Sequence, residues 1–314
     1  MYSYLLKRIA QAIPTVIIVT VLVFAMIRAI PGDPAALMLG DIDNPQLLAQ
    51  MRESLGLNRS VGEQFMIWVS HALHGDLGAS IARREPVLSL ILSHFAVTAQ
   101  IVLLATFLAC LIAVPAGIYA AWRQNRLGDT VIVSTAILFV SLPSFWVGIL
   151  LIWLFGVKLG WLPVYGFQSI AEGGLGAIQY LVLPVCAIVL TEIATVTRMM
   201  RASTIEVLRL EYVAHARAKG LPERRVLLRH ALPNAFGPAL TVIGLMLGHL
   251  LSGAAVIETV FTLPGIGRLL VESIYARDYP VVQGCLLFIA LLYVAINLLV
   301  DLLYPLFDPR IKLQ

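Results

Sequence analysis

Six long stretches of apolar residues dominate this 314-residue sequence. A helix needs about 20 residues to cross a hydrocarbon layer about 30 Å thick, and each stretch reaches that length. Because lipid offers no hydrogen-bond partners, a chain that crosses it must satisfy its own backbone groups, as an α-helix does. The predicted fold class is therefore an all-α polytopic membrane protein with six transmembrane helices, at approximately residues 9–30, 98–122, 130–155, 180–200, 235–261 and 281–307.

Charged residues are scarce, and their distribution predicts the orientation of the six spans. Only 13% of the residues are charged, against about a quarter in a typical soluble domain. Most of the 22 lysines and arginines lie in both terminal tails, in the loop after residue 122 and in the segment 201–234. Six spans place all of these on one side, and positive charge marks the cytoplasmic side. Both termini are therefore expected in the cytoplasm, and the few basic residues do not indicate nucleic acid as a partner.

One sizeable insertion, residues 31–95, lies on the opposite, extracytoplasmic side. It opens with PGDP, which forces a turn, and two helices are predicted at about 45–55 and 61–73. The insertion is too small to be expected to fold alone. The whole chain, residues 1–314, is thus predicted to be a single membrane domain with a small helical extracytoplasmic cap.

The segment 211–234, EYVAHARAKGLPERRVLLRHALPN, concentrates charge between two apolar spans. A helix is predicted to continue from the fourth span to Lys219, and Gly220 then permits a sharp change of direction. Pro222 suits the first turn of a second helix, which is predicted to end at Pro233. Such a helix pair suits contact with another protein or a solvated basic loop that sets orientation, and the residues alone leave both open.

This segment resembles the cytoplasmic coupling loop of ABC-transporter permeases, in the branch that takes up dipeptides, oligopeptides and nickel. The general loop pattern, EAA, three residues, Gly and a later Leu-Pro, matches only at Ala216, Gly220, Leu232 and Pro233, whereas the signature of the peptide branch, YVxxARAKG, matches in full. The resemblance implies that the loop, 201–234, docks in a groove of an ATPase. Its basic side chains would donate hydrogen bonds to carboxylates and carbonyls of that groove. The residues assigned to this coupling site are Tyr212, Ala216, Arg217, Lys219, Gly220, Leu221, Arg224, Arg225, Leu232 and Pro233.

Other landmarks of the same family occur in the expected order along the chain. They are IPGDPA, LGLN, GDLGAS, LPSFWVGILL, ETVFTLPGIGRLL, RDYPVVQG and LYPLFDPR. The resemblance therefore covers essentially the whole chain, and it implies the type I ABC importer permease fold in a bacterial cytoplasmic membrane. The partners it implies are a homologous second permease in a heterodimer, two cytoplasmic ATPase subunits, an extracytoplasmic substrate-binding protein and membrane lipid.

The sequence carries no nucleotide-hydrolysis motif of its own. It has no GxxxxGK[ST] phosphate loop, the motif whose backbone holds the phosphates of a nucleotide. The chain is therefore expected to be a transport subunit and not an enzyme, with no catalytic residues and no bound cofactor. ATP and Mg are expected to be used by the partner ATPase subunits.

Two ionisable residues near the middle of predicted spans are candidates for the substrate pathway. Glu192 lies in the fourth span and His249 in the fifth. Placing an ionisable group in lipid costs free energy, so such a group is expected to face the protein interior or a water-filled cavity. We hypothesise that Glu192 lines the pathway, with equal weight for a protonated Glu192 bonded to a neighbouring span or to the partner permease. His249 is more readily a packing residue, and no metal site is predicted.

The region from Glu258 to Pro280 contains TLPGIGRLL, in which two glycines and a proline fall within four residues. In the family this region lies near the outer mouth of the pathway. The alternative is a tight re-entrant turn packed on the ends of the spans.

Two other classes of function are less consistent with the sequence. An ion-coupled secondary transporter typically shows an inverted repeat, which is not visible in this sequence. An intramembrane enzyme requires paired catalytic groups at one depth, and the sequence shows no such pair. The predicted function is to form half of the translocation pathway for peptides. The same machinery carrying nickel or other metal chelates, glutathione or opines is the alternative, because substrate selection belongs largely to the separate binding protein.

Overall fold

The computed structural model describes residues 2–29, 44–54, 56–169 and 173–307. The described elements are helices, with no strand among them, and they are α1 (Tyr2–Ala29), α2 (Pro45–Ser54), α3 (Val61–Leu73), α4 (Val87–Trp122), α5 (Leu127–Val140), α6 (Ser144–Leu151), α7 (Ile178–Leu208), α8 (Glu211–Ala218), α9 (Leu232–Val260), α10 (Ile266–Tyr275) and α11 (Tyr279–Phe307). A π-helical turn, Ile152–Lys158, extends α6. The all-α fold class predicted from the sequence is thus confirmed.

Within the described residues, five single helices are long and apolar enough to cross a membrane, and α5 and α6 taken together are long and apolar enough to form a sixth, broken span. The third predicted span, 130–155, is therefore not one straight helix, because α5 and α6 meet at an angle of 95°. The break lies at Ser141–Pro143, where Pro143 has no N–H to donate and the residue before a proline avoids helical dihedrals. Apolarity along the stretch predicted its membrane location but not this bend.

The other predicted spans overlap the long helices, with one notable difference in bounds. α4 begins at Val87, so the last residues of the predicted insertion 31–95 belong to this membrane helix. The two predicted cap helices correspond to α2 and α3, and Ser60 with Glu63 forms a reciprocal capping box at the start of α3. The PGDP turn and the end of the first predicted span lie outside the described residues.

Small residues allow the membrane helices to approach one another closely. A Cβ atom on Gly117 of α4 would lie 2.5 Å from Cβ of Met200 in α7. Gly244 and Gly248, spaced as GxxxG on α9, have the side chains of Val300 and Tyr293 of α11 directly against them. Because lipid provides no hydrophobic drive between helices, such close backbone contact is what stabilises their association.

The first helix is held to the bundle at both ends. On the side of the chain termini, Arg8 Nη1 lies 3.1 Å from Asp301 Oδ2 of α11. At the other end, the Phe24 ring lies 5.3 Å from the Phe65 ring of α3, edge to face. The predicted cap is thus anchored on α1 by aromatic contact.

Candidate functional site

The segment that joins α7 to α9, residues 209–231, is a helical hairpin that we call the connecting segment. α7 ends at Leu208, α8 follows, and after a turn a helix beginning at Glu223 continues through a π-helical stretch, Val226–Ala231, into α9. The predicted continuous helix as far as Lys219 is wrong. Leu210 adopts extended dihedrals, φ −74° and ψ 145°, which reorients α8 so that Val213 and Ala216 are buried.

The sharp bend expected at Gly220 is present. Gly220 has φ +75°, in the left-handed region that only glycine occupies freely. Its N–H donates to the Arg217 carbonyl at 2.9 Å, and the Leu221 N–H donates to the Ala216 carbonyl at 3.4 Å. These two bonds form the Schellman arrangement that ends a helix at a glycine, so the bend has a definite geometry.

The predicted end of the second helix at Pro233 is wrong. Pro233 lies in the first turn of α9, directly after the π-helical stretch. A widened turn changes the hydrogen-bond register, which accommodates a residue that has no N–H. The His230 carbonyl accepts from the Asn234 side-chain amide at 2.9 Å and from the Tyr212 hydroxyl at 3.2 Å. The second helix of the hairpin is therefore continuous with the fifth span.

The inner face of the connecting segment packs into the bundle. Val213 and Val226 are fully buried, and Ala216 is nearly so, while Tyr212, Leu221 and Leu232 pack partly against the same core. Of the predicted coupling residues, Tyr212, Ala216, Leu221 and Leu232 therefore hold the hairpin to the ends of the spans. A displacement of the hairpin must move the spans with it, because close-packed interiors transmit strain.

The outer face of the connecting segment is exposed and basic. Lys219, Arg224 and Arg225 are exposed. Arg217, assigned to the same coupling surface, instead pairs with Glu223 across the bend, with its Nε 3.2 Å and its Nη2 2.7 Å from the two carboxylate oxygens. This bidentate pair joins the two arms of the hairpin. The structure thus divides the predicted residues into those that build the hairpin and those that present charge.

The two candidate pathway residues are brought near each other. Glu192, on α7, is half-buried, and His249, on the neighbouring helix α9, is exposed on this chain. His249 lies close enough to Glu192 to interact with it electrostatically. An exposed histidine at the depth of a membrane span is not compatible with lipid contact alone, so this face of α9 suits a wet pathway or another protein.

Three buried carboxylates are paired in ways that the sequence analysis did not identify. Within the spans, Asp129 of α5 accepts a bidentate pair from Arg201 of α7, with Nε at 2.6 Å and Nη2 at 2.7 Å. Outside them, the buried Asp278 accepts from the Ser80 hydroxyl at 2.5 Å. Asp278 and Ser80 lie within two of the short family landmarks, RDYPVVQG and GDLGAS, and that co-occurrence was the only available signal for their pairing.

The third carboxylate, Glu258, explains the TLPGIGRLL stretch. Its Oε1 accepts from the Thr98 hydroxyl at 2.6 Å and its Oε2 from the Arg268 N–H at 2.9 Å. The Thr98 oxygen in turn accepts from the Ile266 N–H at 2.9 Å. The carboxylate and the Thr98 hydroxyl together therefore accept from N–H groups in the first turn of α10, which have no partner within their own helix. This geometry favours the tight turn packed on the span ends.

Two protein families and one solved structure are similar to this chain. The family described as "Binding-protein-dependent transport system inner membrane component" matches residues 113–313, and the corresponding N-terminal family, "Binding-prot-dependent transport system membrane comp, N-term", matches residues 1–102. A crystal structure of an amino acid ABC transporter with histidines is similar with a TM-score of 0.49 and 19% identity, over 71% of this chain and 94% of that chain.

Full-length relatives are also similar to this chain. A putative peptide transport system permease protein of Brucella abortus is 42% identical over 99% of both chains. A dipeptide transport system permease protein of Alkalihalophilus pseudofirmus is 39% identical over 99% of this chain and 100% of its own, and a glutathione transport system permease protein of Escherichia coli is 41% identical over 99% of both. The chain therefore belongs to the family of inner-membrane permeases of binding-protein-dependent ABC transport systems, and it has that family's type I importer fold.

Proposed function

We propose that this chain is one permease subunit of an ATP-driven peptide importer, and that its connecting segment receives the motion of an ATPase. The observation that carries the proposal is the two-sided hairpin at Gly220. Its inner face is buried against the bundle, while Lys219, Arg224 and Arg225 are exposed on its outer face. Arginine and lysine side chains at such a surface are suited to carboxylates and carbonyls on a protein partner.

The mechanism follows from how the hairpin is attached. Its second arm continues into α9, and its first arm is bonded to that continuation through the Tyr212 hydroxyl and the His230 carbonyl. A push on the bend therefore reaches α9 as a rigid-body displacement, the kind of motion that switches a packed bundle between two arrangements. In this proposal, closure of two cytoplasmic ATPase subunits on ATP and Mg supplies the push, and this chain itself binds no cofactor.

The remaining partners are proposed on the same basis. A homologous second permease completes the pathway, and the face of α9 that exposes His249 suits that partner or the pathway between the two subunits. An extracytoplasmic binding protein delivers the substrate. Peptides are the proposed substrates because relatives of 39% to 42% identity are described as peptide or dipeptide permeases. Glutathione, itself a small peptide, is the second candidate because of the 41% identical glutathione permease.

The energy source tests the proposed function directly. In cells that express the complete system, uptake of a labelled dipeptide is expected to persist when the membrane potential is collapsed with ATP intact, and to stop when ATP is depleted. A tagged permease is expected to copurify with an ATPase subunit. Uptake that follows the membrane potential and ignores ATP would instead indicate an ion-coupled transporter.

The proposed orientation predicts which sites are labelled from outside. In a background without the three native cysteines, Leu175→Cys and Tyr275→Cys are expected to react with an impermeant maleimide in intact cells, because these positions are 87% and 86% exposed. Lys219→Cys is expected to react only after permeabilisation. Labelling of Lys219→Cys in intact cells would reverse the orientation and remove the contact with a cytoplasmic ATPase.

The proposed pathway role of Glu192 predicts a substrate-dependent defect. Glu192→Gln keeps the shape and the hydrogen-bonding capacity but removes any negative charge, so uptake of peptides with a free amine is expected to fall several-fold. Initial rates with N-acetylated and free peptides provide the measurement. Glu206→Gln, at an exposed position on the same helix, is the matched control. Unchanged kinetics for free peptides would mean that Glu192 carries no functional charge.

A further inference from the structure

An apolar groove lies between the last turns of α4 and the second arm of the connecting segment. We call it the inner groove. Val114 and Ile118 of α4 form one wall, and Leu227 and Leu228 form the other. The groove encloses about 370 Å³ and is open on one side. Leu228 is 50% exposed, so the described part of the chain leaves apolar surface uncovered next to the hairpin.

The position of the inner groove is at the boundary between membrane and water. Tyr119 and Trp122 line the groove at the end of the membrane helix α4. Their rings are 6.0 Å apart in an edge-to-face arrangement, and both side chains are exposed. Exposed tyrosine and tryptophan at the end of a span are typical of the level of the lipid headgroups. An occupant of the groove therefore lies with its polar end at this level.

The charge at the rim of the groove is positive. Arg224 lines it, and the Arg123 guanidinium lies 4.2 Å from the centroid of the Trp122 ring. The Arg123 Nε is buried and has no hydrogen-bond partner in the part of the chain that the structure describes. Glu223 also lines the groove, but its carboxylate pairs with Arg217, whose Nη2 lies 2.7 Å from Glu223 Oε1. Two guanidinium groups thus remain to attract an anion, and arginine favours phosphate.

We propose that the inner groove binds an anionic phospholipid of the adjacent leaflet. One acyl chain lies between α4 and the second arm of the hairpin, and the phosphate lies against Arg224 and Arg123. Carbon walls, an opening at headgroup level and a cationic rim together match this ligand, as expected where basic residues meet anionic lipid. The lipid would brace the connecting segment against α4, which places a binding site for membrane lipid beside the part of the permease that moves.

Tryptophan quenching by brominated lipids tests the proposal. The assembled transporter is prepared with Trp122 as the only tryptophan of this chain and the partner subunits' tryptophans replaced, then reconstituted with dibromo-phosphatidylglycerol or dibromo-phosphatidylcholine at equal mole fraction. Phosphatidylglycerol is expected to bind at Trp122 about fivefold more tightly for each participating arginine, since a basic residue near an anionic lipid contributes about a factor of five. The single variant Arg123→Gln leaves the proposed ATPase surface unchanged and is expected to lose one such factor of the preference. The double variant Arg123→Gln, Arg224→Gln is expected to lose the rest.

The matched control is a variant whose only tryptophan is Trp146. This residue is 44% exposed, against 39% for Trp122, and it lies on α6, away from the groove. The two lipids are expected to quench Trp146 equally. Equal quenching by both lipids at Trp122 would overturn the proposal, because the site would then hold only bulk lipid. Absence of quenching by either lipid at Trp122 would also overturn it, because another polypeptide would then cover the groove.

Discussion

Replacing Gly220 with valine is expected to abolish coupled transport while the chain still inserts into the membrane. The φ of Gly220 is +75°, and a β-branched residue held in that region costs about 1–3 kcal/mol. No atom lies within 4 Å of a Cβ placed at this position, so the effect must come from the backbone and not from a clash. We expect the hairpin to lose its Schellman geometry. Peptide uptake is then expected to fall at least tenfold, and ATPase copurification is expected to fall with it, because both depend on the same surface of the hairpin.

Gly220→Asn is the matched control for this prediction. Asparagine tolerates left-handed dihedrals far better than valine, and the open space around the position admits its side chain. Uptake and ATPase copurification are therefore expected to stay near the level of the unchanged protein. If Gly220→Val transports normally, or if the asparagine variant is as defective as the valine variant, the conformation of the bend is not what couples the ATPase to the spans.

Replacing Gly265 with alanine is expected to destabilise the end of the bundle at which α10 lies. A Cβ atom on Gly265 would collide with the carboxyl group of Glu258, which is 1% exposed and is held in place by hydrogen bonds from Thr98 and Arg268. Moving it aside would break these bonds. The carboxylate would leave the N–H groups of α10 and the Thr98 hydroxyl without their acceptor. Overpacking and a lost buried acceptor together cost about 2–4 kcal/mol, which thermal unfolding of the purified permease in detergent would detect.

Two further variants decide whether the contact with Glu258 is responsible. Gly176→Ala is the control, because no atom lies within 4 Å of a Cβ there, and its thermal midpoint is expected to be nearly unchanged. Adding Glu258→Asp to Gly265→Ala shortens the colliding side chain by one methylene and is expected to recover part of the loss, as coupled neighbours do. Independent, additive effects of the two substitutions would contradict the proposed contact.

Features that depend on one residue or on a short window of chain were predictable from the sequence. The membrane helices follow from the apolarity of stretches of about 20 residues, which is a local property. The bend at Gly220 follows from the dihedral freedom of a single residue. The chain-wide order of short motifs predicted the family, because each motif is recognised from its own residues without knowledge of its contacts.

Local reasoning failed where the surroundings compensate for an unfavourable residue. Pro233 predicted a helix end, yet a π-helical stretch before it absorbs the missing N–H and the helix continues. A continuous helix to Lys219 was predicted, yet burying Val213 and Ala216 is achieved by breaking the helix at Leu210. In both cases the packing of the hairpin on the bundle outweighs a local preference, which propensity alone cannot reveal.

Hydrogen bonds between residues far apart in the sequence could not be predicted from residue spacing. Arg201 meets Asp129, 72 residues away, and Glu258 meets Thr98, 160 residues away. Nothing in the sequence near Arg217 shows that it bonds Glu223 across the bend while Lys219 stays exposed. The packing and rotation of the helices decide which charged groups pair and which face outward. A buried charge needs a partner, but any group of opposite charge or hydrogen-bonding capacity that the fold brings within reach can serve.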